Sequence, residues 1–267
     1  EVKIYNTALT PDQIKIDMNQ GKSMVLGSNS TNTGTTSASA EYCIPGDPSS
    51  CSPPVAEWKF DEGIGTTAFD TSANNNHANF GAGGSSPIWV KGKESAGLKF
   101  DGNDYALTGN AVSSSAYTFS SWFKTTQNAP NTDEASRILT IHRTGTLAGS
   151  KIAIGMRNGG KAYFLWHTGS AFVNLQSDED YNDNKWHYLS AATDGTNFKL
   201  YIDGVLKKAT TSTLIATTTD QIIGAQNTGS SFWNGDLDDI RIYDYARSPA
   251  QIALDYNRGA PIGHWRL

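Results

Sequence analysis

The chain has 267 residues with a formal net charge of −5, is 37% hydrophobic and 18% charged, and contains 26 glycines. That length allows one large domain or two small ones. The acidic balance offers no basic face to a nucleic-acid backbone, and no run approaches the roughly 20 apolar residues of a membrane helix.

The first element already poses the organising question. "EVKIYNTALTPDQIKIDMNQG" (1–21) aligns without a gap on "DIRIYDYARSPAQIALDYNRG" (239–259), with nine of twenty-one positions identical. About one identity is expected by chance, so this is an internal repeat. In both copies an alternating run (Val2, Ile4; Ile240, Ile242) predicts a strand with one buried face. A hydroxyl residue, a proline and a glutamine follow (Thr10, Pro11, Gln13; Ser248, Pro249, Gln251). This is a capping box with proline at the first helical position. Gly21 and Gly259 then stand where a helix stops.

Residues 23–54 are rich in Ser, Thr, Asn, Gly and Pro and predict a surface linker. It carries both cysteines of the chain, Cys43 and Cys51, eight residues apart. With no histidine partner or second cysteine pair, zinc is disfavoured and a local disulfide in an oxidising compartment is favoured. Asn29-Ser30-Thr31 is a glycosylation sequon. The chain lacks an initiator methionine and a signal peptide, which reads as a processed or excised piece.

From Val55 the text changes to short runs of Val, Ile, Tyr, Phe and Thr between Gly, Asn and Asp clusters, the pattern of an all-β sandwich or barrel. "VAEWKF" is a strand with Ala56, Trp58 and Phe60 on one face. "AGLKFDGNDYALTG" reads as a hairpin about Asp101-Gly102-Asn103. "AYTFSSWFKTT" predicts a strand covered on both faces. "SRILTIHRTG", "KIAIGMRNGG" and "KAYFLWHTG" are three strands ending in glycine turns. "SDEDYND" (177–183) reads as a solvated loop. "NKWHYLSAATDGTNFKLYIDGVLKKA" holds strands joined at Asp194-Gly195 and Asp203-Gly204. "TDQIIGA" and "FWNGDLDDIRIYD" complete about a dozen strands. The last residues, "GHWRL" (263–267), repeat "AEWKF" (56–60). We therefore expect 1–22 to be the last strand and helix of a preceding repeat, 55–259 a complete domain, and 260–267 the first strand of a following one.

The series "EWKFDEGIGTTAFDTSANNNHANF", "GLKFDGNDYA", "YTFSSWFKT", "KWHYLSAATDGTNFKLYIDG" and "FWNGDLDDIRIYDYARSPAQI" resembles the bacterial LamG-like jelly-roll family. That family belongs to the concanavalin A-like lectin/glucanase superfamily, with laminin G and pentraxin relatives. The resemblance covers 55 to about 259. It implies an all-β fold, a two-sheet antiparallel jelly-roll sandwich with one short C-terminal helix, and an extracellular, non-catalytic module of a larger surface or secreted protein.

It also implies where function would sit. In related jelly rolls an aspartate before the last strand ligates a structural calcium ion, which nominates Asp238 with Asp61 and Asp70; hard oxygen ligands of this kind suit calcium. The competing reading is that Asp238 and Asp239 cap the strand and pair with Arg241. For sugars, Tyr163, Trp166, His142 and His167 lie on strands lining the face where related lectins stack glycans, with Arg157 and Asn158 as donors. Strand alternation sends one of Tyr163 and Trp166 outward and the other inward. Trp58, Trp122 and Trp186 read as core.

Family 16 glycoside hydrolases share the superfamily, but retaining hydrolysis needs two carboxyl groups about 5 Å apart. After Asp238 the last strand continues Ile240 and Ile242, and no second acid arrives at the required alternation. Two functions remain: adhesion or self-assembly with neighbouring copies of the repeat or other surface proteins, and carbohydrate binding.

Overall fold

The computed structural model describes residues 2–4, 42, 51–72, 74–108, 114–130, 135–143, 146–214, 221–257 and 263–265. In chain order its elements begin with β1 (Val2–Ile4), β2 (Ala56–Trp58), β3 (Thr67–Ala68), β4 (Ala78–Phe80), β5 (Ile88–Lys91) and β6 (Ala96–Asp101). Then come β7 (Ala106–Thr108), β8 (Tyr117–Lys124), β9 (Ser136–Arg143), β10 (Thr146–Arg157), β11 (Lys161–His167) and β12 (Phe172–Asp180). The series ends with β13 (His187–Thr193), β14 (Asn197–Ile202), β15 (Val205–Thr211), β16 (Gln221–Ile223), β17 (Asn234–Tyr243), α1 (Pro249–Asn257) and β18 (Gly263–Trp265). The chain divides into two compact units, one of residues 54–246 and one of residues 1–53 with 247–267.

The unit 54–246 is a sandwich of two antiparallel eight-stranded sheets. One runs β12-β11-β10-β9-β16-β7-β4-β3; the other runs β15-β14-β13-β8-β17-β6-β5, with β2 added on β17. Alternation explains the core between them. Phe164 and Trp166 of β11 point inward with Ile152, Ile154 and Met156 of β10, to meet Phe119 and Phe123 of β8, Leu189 and Ala191 of β13, and Phe198 and Leu200 of β14. Each large apolar side chain buried there contributes about 1.5–3 kcal/mol.

β8 is buried on both faces, as its sequence predicts. Its outward residues form rows with the neighbouring strands: Tyr188, Trp122 and Asp238 in one, Ser190, Ser120 and Arg241 in the next. The hairpin turn Asp203-Gly204 has both residues at positive φ (53° and 75°), the geometry that matches strand twist.

Two expectations are corrected. Residues 96–108 are not a hairpin, because β6 and β7 belong to different sheets. The chain turns a corner between them, held by Asp104 Oδ2 accepting Asp101 N–H (2.8 Å) and by Asp101 Oδ1 accepting Asn103 N–H (3.1 Å). Residues 177–180 of "SDEDYND" are the end of strand β12 rather than loop. Asp178, Glu179 and Asp180 are exposed there, while buried Ser177 accepts Ala162 N–H (3.0 Å). β12 and β5 were both missed because edge strands bury too little to alternate cleanly.

In the other unit, β1 pairs with β18. The capping box of α1 is present: Gln251 N–H donates to Ser248 Oγ (3.3 Å) and Ser248 N–H donates to Gln251 Oε1 (2.8 Å). Arg247 grips Asp255 with both Nε and Nη2 at 2.7 Å, tying the helix to the residue before its cap. The first-copy helix (10–21), the linker from 23 to 41 with its sequon, and Cys43 lie outside the described residues, so the repeat-remnant reading of 1–22 stays an expectation. No helix among the described residues is long and apolar enough to cross a membrane.

Candidate functional site

β17 carries the acids that the sequence singled out. Leu237, Ile240 and Ile242 all point into the core, a spacing of three and then two. Strict alternation does not allow this, and a bulge resolves it. Asp239 has φ +50°, and pairing to β8 shifts between Asp238 and Arg241. Before the bulge β17 pairs with β6, and after it with β2. The extra residue inserts both Asp238 and Asp239 between two core positions.

Asp238 is 2% exposed. Its Oδ2 accepts Glu94 N–H (3.0 Å) from the β5–β6 turn. That turn passes so close that a Cβ on Gly92 would lie 2.6 Å from the same oxygen. Burial pushes Asp238 up to about 7, helped by the charges of Asp239 and Asp61 and opposed by the Glu94 and Lys93 N–H groups. Asp239 is engaged by Arg241 (3.1 Å), whose Nε also meets Glu57 Oε1 (2.8 Å).

Asp70 does not join this group. Its Oδ1 accepts Glu57 N–H and Ser72 N–H, and its Oδ2 accepts Asn76 N–H and the Ser72 hydroxyl. It is the organiser of its own loop. Among the described residues no three His, Cys, Asp or Glu side chains form a metal-ligating cluster, and the carboxylate oxygens of Asp70 are taken up by its own loop. Asp61 is exposed and within electrostatic reach of Asp238.

The aromatic residues divide as alternation requires. Trp166 is fully buried in the core, stacked on Phe198 at 4.0 Å, with Nε1 donating to Ser212 Oγ. It presents no face to a sugar, and that assignment is corrected. Tyr163 lies on the opposite face of β11 in a small cluster with Ala135, Ala153 and Leu165; at 1% exposure it too presents no face to a sugar. The charges of Arg137 and Arg157 reach its hydroxyl, although burial dominates and raises its ionisation. His167 is half-buried, its Nδ1 accepting Gly169 N–H and its ring edge-on to exposed Phe172. The side chain of His142 lies outside the described residues.

Arg157 and Asn158 fall in a different setting, one the sequence did not expose. The turn after β10 meets the segment after β8: Ala129 and Gly159 exchange backbone hydrogen bonds (2.9 and 2.8 Å), and Asn158 N–H donates to Pro130 O. The segment after β12 closes on both. Tyr181 N–H donates to Gly160 O, Asn182 Nδ2 to Gln127 O, and Asn184 N–H to Thr125 O. A Cβ on Gly160 would lie 2.3 Å from Asn182 Oδ1, so this approach needs glycine. Gln127 then spans to the next segment, with Nε2 donating to Phe232 O and Oε1 accepting Asn234 N–H.

The result is an amide-rich loop cluster presenting Asn128, Asn158 and Asn184 to solvent. Trp186 stands beside it, half-buried rather than core, with Lys124 Nζ 5.5 Å from its ring centroid and 2.7 Å from Asp236. The signal for Trp186 was local: it follows Asn184-Lys185 in a loop instead of sitting inside a strand.

The histidines described are committed to structure. His187 has Nδ1 on Asp203 (2.8 Å) and Nε2 on Asp183 (3.1 Å). The Asp203 hydrogen bond is the main reason its imidazolium persists to higher pH than usual. His77 Nδ1 accepts Asp70 N–H. Neither ring nitrogen of His187 is available to activate a nucleophile or bind a metal.

Comparison with known proteins places this geometry. No curated protein sequence matches the chain. Among solved structures it is similar to domain 4 of AbnA, a GH43 extracellular arabinanase from Geobacillus stearothermophilus, in complex with arabinotriose. The TM-score is 0.62 at 19% identity, over 76% of this chain and 98% of that one. It is also similar to the botulinum neurotoxin serotype D ligand-binding domain in complex with N-acetylneuraminic acid (TM-score 0.59, 17% identity, 78% of this chain and 51% of that one). A third is the binding domain of Paraclostridial Mosquitocidal Protein 1 (0.56, 15%, 77% and 52%). This chain thus spans about half of each toxin binding-domain chain, and at these identities the likeness is one of fold. The laminin G model described as the concanavalin A-like lectin/glucanases superfamily matches residues 100–253, more than half the sequence, and with two antiparallel sheets packed as a jelly roll the chain belongs to that superfamily.

Proposed function

We propose that the chain is a non-catalytic, carbohydrate-binding module of an extracellular or cell-surface protein, and that its glycan surface is the amide-rich loop cluster beside Trp186. One observation carries the reading. Four loop segments, at 125–130, 158–160, 181–186 and 226–234, are pinned to one another by backbone and amide hydrogen bonds. They leave an indole, a lysine–aspartate pair and several free-standing carboxamides at the surface, the groups that stack on sugar C–H faces and bond sugar hydroxyls. Similar folds seen with arabinotriose and with N-acetylneuraminic acid support the class of ligand. His187 locked between Asp183 and Asp203, and Asp238 tied into a turn, argue against the hydrolase alternative.

The test is a glycan array followed by titration of the best hit. Trp186→Ala should weaken binding about tenfold, about 1.4 kcal/mol, with an unchanged melting temperature. An array without any hit, or a hit indifferent to Trp186→Ala and Arg157→Ala, overturns the site.

Two further elements belong to the proposal. A structural calcium ion would be held at Asp238, with Asp61 as the second acid; a buried carboxylate with two acids in electrostatic range is the arrangement a divalent cation relieves. A Cys43–Cys51 bridge closes the linker, in keeping with an oxidising compartment; Cys51 is 4% exposed. A second reading, adhesion through self-association with other copies, has its own observation in the pairing of β1 with β18.

A further inference from the structure

The two-stranded sheet repeats the ladder by which the sandwich joins its first strand to its last. β17 pairs with β2 as Ile240 with Trp58, Arg241 with Glu57 and Ile242 with Ala56. β1 pairs with β18 as Val2 with Trp265, Lys3 with His264 and Ile4 with Gly263. The internal repeat sets Val2, Lys3 and Ile4 against Ile240, Arg241 and Ile242, and sets Gly263, His264 and Trp265 against Ala56, Glu57 and Trp58. All three pairs therefore coincide in register and in antiparallel sense. A slip of one residue would turn every side chain to the other face, so a shared register is specific.

The longer repeat keeps the residues that this arrangement uses. α1 buries Gln251, Ile252 and Asp255, and the first copy has the same three residue types at Gln13, Ile14 and Asp17. Tyr243, fully buried at the end of β17, is matched by Tyr5.

The two ladders differ in support. β17 is flanked by β8 on its other edge and packed into the core. β1 and β18 form a two-stranded sheet of three residue pairs. Such a ribbon is marginal in water, and among the described residues no third strand pairs with either edge. Opening it costs little, and any strand of the same pattern replaces either partner.

We infer that β1 and β18 form a strand-exchange joint between copies of this chain, with β18 of one copy pairing with β1 of the next in the Val2–Trp265 register. The inference rests on the self-association reading and narrows it to one ladder. The contact is heterologous, so each joined copy keeps one strand unpaired and growth continues into a ring or an open fibre. Closure within one chain competes through its effective concentration, of order mM for a flexible connection, so joining between chains rises with protein concentration.

The test uses two full-length variants, Lys3→Cys and His264→Cys, one carrying a size tag, mixed and oxidised at increasing concentration. Peptide mapping then looks for the junction between positions 3 and 264. The expected result is an intermolecular junction that increases with concentration and falls several-fold when Gly263→Cys, one residue out of register, replaces His264→Cys. In the double variant Lys3→Cys/His264→Cys, a junction found only within single chains at every concentration overturns the proposal, as does its absence. Light scattering on the unsubstituted chain separates the two layers. Association without the junction keeps self-assembly and discards this ladder, whereas a monomer at all concentrations discards both.

Discussion

Replacing Asp238 with asparagine isolates the electrostatics of the β17 bulge. Asparagine keeps the shape of the protonated acid and still accepts the Glu94 N–H, but cannot ionise. Asp238 has its ionisation pushed from an ordinary 3.8 up to about 7 by burial, Asp239 and Asp61. The folded state therefore binds the proton more tightly than the unfolded chain does. Below about pH 4 the acid is protonated in both states and contributes nothing; as pH rises to about 7 the folded state is progressively penalised. At about 1.4 kcal/mol per pH unit, the distance from 3.8 to about 7 sets a ceiling of about 4 kcal/mol. Urea unfolding in chelator should thus show wild type losing stability from pH 4 to 7 relative to Asp238→Asn, with the variant the more stable at pH 8. Added calcium should reverse that order by stabilising wild type and not the variant. A variant less stable than wild type by the same margin at every pH would refute the reasoning, because the carboxylate would then act only as a hydrogen-bond tether. Calcium-indifferent unfolding of wild type would remove the ion.

Trp166→Ala should cost about 3–5 kcal/mol by opening a cavity against Phe198, read by chemical denaturation; retained stability with lost glycan binding would restore Trp166 to the surface. The Cys43–Cys51 bridge should appear in unreduced protein as a mass two hydrogens lighter. Its reduction should leave unfolding of the sandwich almost unchanged, since so short a loop constrains little chain. Two alkylatable thiols in protein purified under oxidising conditions would refute the bridge.

Much of the fold is legible because it is local. Alternation of Tyr117, Phe119 and Phe123 against Thr118, Ser120 and Trp122 gives β8 and its two covered faces. Asp203-Gly204 gives a hairpin turn, since positive φ at both positions suits these residues. Ser248-Pro249-Ala250-Gln251 gives a helix start whose two reciprocal hydrogen bonds are present. The spacing of Leu237, Ile240 and Ile242, three and then two, carries the bulge, because strict alternation cannot put all three on one face.

What each strand pairs with is a different kind of fact. Asp101-Gly102-Asn103 reads as a hairpin turn, yet the strands on either side join separate sheets, because hydrogen-bond partners more than a hundred residues away compete with the nearest neighbour. Asp70 and Asp238 look alike as loop and strand acids; one is consumed by its own loop amides and the other is buried against a distant turn. Trp166 and Trp186 are each followed by a histidine, and only the packing of Phe198 over one and the open loop cluster around the other separates core from surface. Residue type, period and capping chemistry act over a few residues, and the sequence alone determines strands, turns, the helix and the repeat through them. Sheet membership, burial of charge and convergence of loops depend on contacts between distant segments, and those the tertiary structure decided.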